Sequence, residues 1–505
     1  MGYLASVNSK QRGVILLVLL LVLMLGLSSL LLSRLNRTDS GRRERSAAAL
    51  LQARQALLAW SLSRDGTVGT GNCSPASSSN GRACSPLELP CPANPNETLA
   101  NSIGTSITSC NSAGAARLGW LPWKTLGIPK LVDAYGEPLW YAVDRGFVVR
   151  TSDTEARKIN SDSFALLSLR HQSGELPATD ISTAGQAPAA LIFAAGAPLA
   201  GQSRSSPLQA DQFLEGGNAM SGGPYLSRNP SDSYNDQITS IKAHELIDRA
   251  SPRLAAQIAR QLQNYYQTTR AATPIVSAGN ACGNAWQAGV AYAKDEVIAY
   301  GGFHWRARVD HPAAPRLGNI DWQQLFACDE GLLRPYPMPY PADIQNDSDC
   351  QSNTLTVGRC PARQDLCAGI LPRADASWTG ISLMSPRASN LLPVWFAQNV
   401  WHRAVFYAVR QGRVCTRDFE IDGVPEPAVD ALFIVPGSSR SQRANNLLAA
   451  AAASTDLRRY LDDAANQGAW LNDQQAQFVT PGCDSNDLLY LCRDGVCSPR
   501  KKPCP

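Results

Sequence analysis

The stretch LPWKTLGIPKLVDAYGEPLWYAV, residues 121–143, is rich in Trp, Pro and Gly and ends in residues that favour β-strands. A fainter copy, LLPVWFAQNVWHRAVFYAV, occupies residues 391–409. Seven pairs of matching segments follow one another in the same order, among them NDQITSI at 235–241 and NDLLYLC at 486–492. Short apolar runs recur by chance but rarely keep a fixed order, so we infer a tandem duplication.

Each copy is predicted to open with a helix and to continue with short strands. Arg45 to Ser63 and Ser251 to Gln267 carry apolar residues at helical spacing. The later segments are rich in β-branched and aromatic residues and are bounded by Gly, Pro and Asn. This order is typical of an α+β fold in which an antiparallel sheet packs on its own N-terminal helix.

The aromatic residues of the matching segments are predicted to lie in the core. Stacking on sugars is the alternative, which we disfavour because aromatic residues next to Ala and Val in strand-like runs are usually buried. These residues are Trp123, Trp140, Tyr141, Trp395, Trp401 and Tyr407.

Composition bounds the class of protein. A length of 505 residues favours roughly two to four domains. A net charge of +4 without an extended basic run argues against nucleic acid as a partner. Fourteen cysteines in loops rich in Gly, Pro, Ser and Asn predict disulfides in an oxidising compartment, and Cys282 with Cys328 is the pair that we expect first. Zinc is the alternative, but the chain lacks a Cys-x-x-Cys pair.

The N-terminal segment is apolar enough to suggest a membrane span. Gly13 to Ser33 contain no charged residue and would make a helix of about 30 Å, the thickness of a hydrocarbon core. Arg45 to Ser63 would continue that helix towards the head. The arginines after the span disfavour an exported C-terminus, whereas the cysteines favour it. We therefore predict a single-pass inner-membrane protein in contact with lipid, with its heads in the periplasm or in an extracellular filament.

A short basic stretch that ends in Gly precedes this apolar segment. KQRGVILLVLLL, residues 10–21, resembles the leader of type IV pilin-like proteins and type II secretion pseudopilins. The resemblance implies cleavage by a prepilin peptidase between Gly13 and Val14, and packing against other pilin-like subunits or secretion-machine components. Pilins usually carry Glu at the fifth mature position, where this chain has Val18, so a minor pseudopilin fits better than a major pilin. A plain signal anchor is the alternative.

The second copy contains an insert that the first copy lacks, and residues 285–325 lie within it. EVIAY and FHWRARV flank Gly301-Gly302, which predicts a tight hairpin. The order of aromatic residues resembles small carbohydrate-binding modules of the chitin-binding type. The resemblance implies carbohydrate contacts at Trp286, Tyr292, Trp305 and Trp322. The exposed tandem aromatics of that family are replaced here by RVDHPAAP, which favours a core role for these residues.

Motifs of catalysis and of phosphate or dinucleotide binding are missing from the sequence, and its five histidines are scattered singly. We therefore expect no enzymatic activity, no cofactor and no metal. The loop of residues 342–350 is rich in Asp and Asn, which fits a solvated turn better than a calcium site.

The predicted function is that of a membrane-anchored, pilin-like or minor pseudopilin-like assembly protein. The alternative is a cell-surface adhesion protein that binds polysaccharide through its insert. The predicted organisation is a leader (1–13), a membrane-spanning and extended helix (14–63), a first α+β unit (64–246), a helix that opens the second unit (247–281), the insert (282–328) and a second β-rich unit (329–505).

Overall fold

The computed structural model describes Met24 and residues 40–64, 86–110, 117–149, 159–161, 163–172, 179–180, 186–272, 286–294, 296–300, 303–310, 321–327, 336–337, 339, 367–371, 399, 401, 404–411, 415–438, 461–468 and 477–504.

This part of the chain contains four α-helices: α1 (residues 40–63), α2 (Trp123–Leu126), α3 (Ala243–Ala272) and α4 (Ala464–Gly468). The strands of the first unit are β1 (Leu118–Trp120), β2 (Trp140–Val143), β3 (Leu169–Gln172), β4 (Thr179–Asp180), β5 (Pro188–Ala194), β6 (Tyr225–Arg228) and β7 (Gln237–Lys242). Those of the insert are β8 (Val297–Tyr300), β9 (Phe303–Ala307) and β10 (Trp322–Ala327). The second unit contains β11 (Ala368–Ile370), β12 (Phe406–Val409), β13 (Phe419–Ile421), β14 (Val424–Glu426), β15 (Ala431–Val435), β16 (Gln477–Phe478), β17 (Leu488–Arg493) and β18 (Val496–Arg500).

Each unit contains a large antiparallel sheet, and the strand pairing of the two sheets corresponds. The order is β1-β2-β5-β7 in the first unit and β11-β12-β15-β17-β18 in the second. Gly119 lies opposite Tyr141 in the first sheet, and Gly369 lies opposite Tyr407 in the second. Both tyrosine hydroxyls donate to a proline carbonyl, at 3.1 Å in the first unit and 3.0 Å in the second. The matching sequence segments therefore occupy equivalent places.

Each unit also contains a small three-stranded sheet with one antiparallel and one parallel pair. β3 pairs with β4 as a hairpin and with β6 in parallel, and β13 pairs in the same ways with β14 and β16. The sequence predicts an antiparallel sheet, so these two parallel pairs correct that prediction. A parallel pair requires a long connection between its two strands. The chain between β3 and β6, and between β13 and β16, is long enough to provide one.

The two faces of each large sheet belong to different cores. In the first sheet, Tyr141 and Ile192 pack in a large core with α1 and α3, whereas Trp140 and Phe193 pack against the small sheet. Alternate side chains of a strand point to opposite faces, which produces this division. The large core also contains residues of the second sheet, such as Tyr407, so one apolar interior joins the two units.

The prediction of core aromatics is confirmed wherever the structure describes them. Trp123, Trp140, Tyr141, Trp401 and Tyr407 are all buried. Trp395 lies outside the described residues.

The predicted transmembrane fold and the single-pass inner-membrane location are corrected. None of the helices in the described residues is both long enough and apolar enough to cross a membrane. The predicted span, Gly13 to Ser33, lies outside these residues except for Met24. The described architecture is a mixed helix-and-sheet fold with several sheets.

The second long helix begins earlier than predicted. β7 ends at Lys242 and α3 starts at Ala243, eight residues before the predicted start at Ser251, and Pro252 lies inside the helix. Its apolar stripe explains this extension, because Leu246, Ile247 and Ala250 already pack in the large core.

The predicted disulfides are confirmed at four pairs: Cys91–Cys110, Cys367–Cys415, Cys483–Cys504 and Cys492–Cys497. Cys367–Cys415 ties the residue directly before β11 to the loop after β12, and Cys492–Cys497 joins β17 to β18. Cys282 and Cys328, the pair expected first, lie outside the described residues.

Candidate functional site

The predicted cleavage site at Gly13 and Val14 lies outside the described residues. The Asp- and Asn-rich loop 342–350, which is predicted to be a solvated turn, also lies outside them. Peptidase cleavage therefore remains a prediction.

The insert forms a three-stranded antiparallel sheet in the order β10-β9-β8. Tyr300 pairs with Phe303, which leaves two residues for the connection and confirms the predicted hairpin. A small core holds the sheet together and consists of Tyr292, Ile298, Trp305, Ala307 and Trp322, with Trp286 packed against it.

Three of the four predicted carbohydrate contacts belong to this core. Trp305 is 5%, Tyr292 4% and Trp322 3% exposed, and the Tyr292 and Trp322 rings meet edge to face at 5.9 Å. Side chains this buried hold the sheet together rather than present a face to a ligand. As ligand contacts they remain a prediction, and the burial favours the core role.

Among the insert residues whose side chains are described, Tyr300 and Trp286 present accessible aromatic surface. Tyr300 is 40% exposed, and the two rings meet edge to face at 5.5 Å. Trp286 is half-buried, and its Nε1 is enclosed without a hydrogen-bond partner in the described part of the protein. The sequence places Tyr300 at the end of the strand before Gly301-Gly302, and no role in binding was predicted for it. An aromatic residue directly before a Gly-Gly turn is the signal that could have identified it.

A pair of acidic side chains in the first unit was not predicted. The Glu215 carboxylate accepts hydrogen bonds from the backbone N–H groups of Asn235 and Asp236, both at 3.1 Å. In return, Asp236 accepts from the Glu215 N–H at 3.0 Å and from the Asn218 amide at 2.8 Å. Burial, followed by repulsion from the Glu215 carboxylate, raises the pKa of Asp236 well above its usual range.

A cleft of about 760 Å³ opens beside this pair, and Glu215 forms part of its wall together with Leu199, Leu214 and Met220. A buried acid beside a cleft is a common sign of general acid–base chemistry. The described residues contain no group of three or more side chains suited to hold a metal ion.

The second unit repeats the acidic pair. The Asp462 N–H donates to Asp487 at 2.7 Å, and the Asp462 carboxylate accepts from the Asn486 N–H at 3.1 Å. In both units one carboxylate of the pair binds the backbone of the segment that leads into the last common strand, and the other carboxylate binds a backbone N–H group of the facing loop. The pair therefore braces the loop against the sheet in both units. Its sequence signal was present, because all four acids lie in the matching segments.

Polar contacts between the helices join the two units. The Arg54 guanidinium of α1 contacts both carboxylate oxygens of Glu245 on α3, at 2.5 and 2.6 Å. Its Nε donates to the Ser240 carbonyl of β7 at 3.0 Å. Arg253 of α3 donates to the carbonyl of Leu62 near the end of α1. Bidentate pairing of this kind fixes the relative position of the helices better than a single contact does.

The exposed part of α1 is a further candidate surface. Arg42, Arg43, Glu44 and Arg45 are exposed, whereas Leu50 is buried in the large core. The N-terminal end of the helix is the more exposed end, but it still contacts the first unit. The buried Ser46 hydroxyl accepts a hydrogen bond from the Ala134 N–H at 3.0 Å, and the Arg42 guanidinium lies over the Tyr135 ring.

Comparisons with known proteins found no matching family model, no matching curated protein and no matching solved structure.

Proposed function

We propose that the chain is an assembly protein of the pilin-like or minor pseudopilin-like kind. It acts by packing the exposed part of α1 against other subunits or secretion-machine components and by presenting the loops of its two units. Contact surfaces rather than reactive groups perform this work, so we propose that the protein is not an enzyme.

The observation that carries this proposal is the division of α1. Residues 42–45 and Leu51 are exposed, while Ala53, Leu57 and Leu58 bury their side chains beneath the first sheet. A helix that is buried on one side in a head and exposed on the other can bind neighbouring helices without disturbing the head. The basic leader before Gly13 supports the same assignment through the resemblance.

A first experiment determines the N-terminus of the chain by mass spectrometry, in cells with and without a prepilin peptidase. The proposal expects a chain that begins at Val14 only when the peptidase is present. A chain that still begins at Met1 in both cells would contradict the pilin-like assignment.

A second experiment tests the surface of α1. Leu51 is 51% exposed on this helix, so Leu51→Arg should abolish co-isolation of other pilin-like subunits and leave the melting temperature unchanged. Leu99→Arg is the matched control, because Leu99 is 66% exposed on a loop of the first unit and should tolerate the same change. Equal co-isolation by both variants would contradict a role for this face.

The second candidate function is polysaccharide binding by the insert, which the exposed Tyr300 ring beside Trp286 favours. The flat face of an aromatic ring suits the apolar face of a pyranose. Retention of the full chain on chitin or peptidoglycan would support this function if Tyr300→Ala abolishes it. Tyr135→Ala is the control, since Tyr135 is exposed to a similar extent on the first unit.

A further inference from the structure

The last strand of the first large sheet, β7, and its counterpart β17 have different neighbours. Ala190 of β5 lies opposite Ile241, and Ala431 of β15 lies opposite Cys492, so Ile241 and Cys492 are equivalent. After β17 the chain turns through Asp494 and Gly495 and adds β18 to the sheet. After β7 it enters α3 instead, and no described strand pairs with the outer edge of β7.

Burial reflects this difference. Leu489 and Leu491 of β17, the strand that pairs with β18, are each 1% exposed, whereas the equivalent Ile238 and Ser240 of β7 are only half-buried. Within the described residues, the first sheet therefore ends at the edge of β7, whereas its sister sheet adds a strand at the equivalent place. Such an edge presents backbone groups that can pair with another chain.

The contacts of β7 show which backbone groups face outward. The Ser240 carbonyl accepts its hydrogen bond from the Arg54 side chain rather than from β5. In an antiparallel strand the N–H and C=O of one residue point to the same side, so Ile238, Ser240 and Lys242 face outward. The sister sheet agrees, because Pro499, which has no N–H, lies opposite Tyr490, the equivalent of the inward-bonded Thr239.

The sequence of β7 resembles that of the strand that fills the equivalent place. ITSIK at residues 238–242 and VCSPR at 496–500 share a β-branched first residue, a Ser at the third position and a basic residue at the end. When residues 238–242 are placed as β18 is placed on β17, they run antiparallel to themselves with Ser240 opposite Ser240. A second copy of β7 can therefore pair with β7 in the same register in which β18 pairs with β17.

We propose that two copies of this chain associate through β7, with Ser240 at the two-fold axis, and so join their four-stranded sheets into one. The interface continues the pairing pattern of an established one, β17 with β18, rather than introducing a new geometry. In the dimer the Ser240 carbonyl exchanges Arg54 for the Ser240 N–H of the other copy. Arg54 keeps its ion pair with Glu245. This inference does not depend on the proposed function.

The experiment introduces a disulfide where the sister unit has one. Cys492 and Cys497 face each other across β17 and β18 with their Cα atoms 3.9 Å apart, and the equivalent facing pair in the dimer is Ile241 with Thr239. The double variant Thr239→Cys, Ile241→Cys should give mainly covalent dimer on non-reducing electrophoresis of the full chain in mild detergent. Peptide mapping should place the bond between residues 239 and 241 of different copies.

Each single cysteine variant is a control, because identical residues lie diagonally at about 7–8 Å, beyond the reach of a disulfide. Adding Ser240→Pro to the double variant should abolish the covalent dimer, since proline removes the outward N–H and spares the bonds to β5. Adding Ser240→Ala should leave it intact. A double variant that stays monomeric, or one that forms its bond at other cysteines, would overturn the proposal.

Discussion

At the scale of residues, the acidic pairs show how equivalent places diverge. In the second unit both carboxylate oxygens of Asp487 accept N–H groups, from Asp462 at 2.7 Å and from Gly437 at 3.4 Å. In the first unit the glycine N–H goes to Asp133 instead, at 2.9 Å, and one buried oxygen of Asp236 has no partner in the described part of the chain. Burial of Asp236 therefore costs more free energy of folding than burial of Asp487.

The substitution Asp236→Asn should stabilise the protein by about 1 kcal/mol at pH 7. Because the pKa of Asp236 is raised in the folded state, its favourable contribution is present at low pH and is lost as the pH rises. The advantage of Asn should therefore be small at pH 4 and grow towards neutral pH, as measured by urea unfolding across this range. Asp487→Asn is the control and should destabilise, because an amide nitrogen cannot accept the Gly437 N–H. A larger advantage at pH 4 than at pH 7 would contradict this explanation.

Gly196 lies in a crowded left-handed turn. Its φ is +70°, and a Cβ atom there would come within 2.9 Å of the Asn235 side chain. Gly127 has almost the same φ, +69°, but a Cβ there would meet nothing within 4 Å. Gly127→Ala should therefore cost about 1–2 kcal/mol from the backbone conformation alone, and Gly196→Ala at least about 1 kcal/mol more from crowding. Thermal unfolding of the two variants measures the difference, and equal losses would rule out the crowding.

At the scale of elements, Cys367–Cys415 and Cys492–Cys497 of the second large sheet should contribute differently to the free energy of unfolding. Cys367–Cys415 closes a sequence separation of 48 residues, whereas Cys492–Cys497 closes one of 5. The longer loop restricts the unfolded chain more, by about 4 kcal/mol against about 2 kcal/mol.

Replacing the first pair with alanines should therefore lower the free energy of unfolding more than replacing the second. Guanidinium titration of the two double variants gives the comparison. An equal loss would indicate that packing around the sulfurs, rather than loop closure, sets their contribution.

Elements that depend on local pattern were the most predictable. The hairpin of β8 and β9 followed from Gly301-Gly302, and the buried aromatics followed from their neighbours. The start of α3 was missed because Pro252 reads as a helix boundary, although tertiary packing of Leu246 and Ile247 extends the helix past it. The parallel pairs β3–β6 and β13–β16 depend on contacts far apart in sequence, which no local pattern records. The acidic pairs were missed although their residues lie in the matching segments, because the contact between Glu215 and Asp236 forms only in the folded chain.

At the scale of the whole molecule, the shared core predicts that the two units unfold together. Leu254 of α3 is buried in the core that both large sheets contribute to. Leu254→Ala should therefore destabilise the protein by about 2–5 kcal/mol. Hydrogen exchange should then accelerate to the same extent in β5 and in β15, while Leu99→Ala, at an exposed position, should change neither. Faster exchange in β15 alone would show that the units are independent.

The joint between β7 and α3 has a consequence for how the chain can be divided. Lys242 is the last residue of a strand and Ala243 is the first residue of a helix. No linker therefore separates β7 from α3 in which a hinge could form or a protease could cut. A chain truncated after Lys242 would leave the first unit without α3, whose apolar residues fill the core that both large sheets share. The two units of the inferred duplication are therefore expected to fold together and not to be separable at this junction.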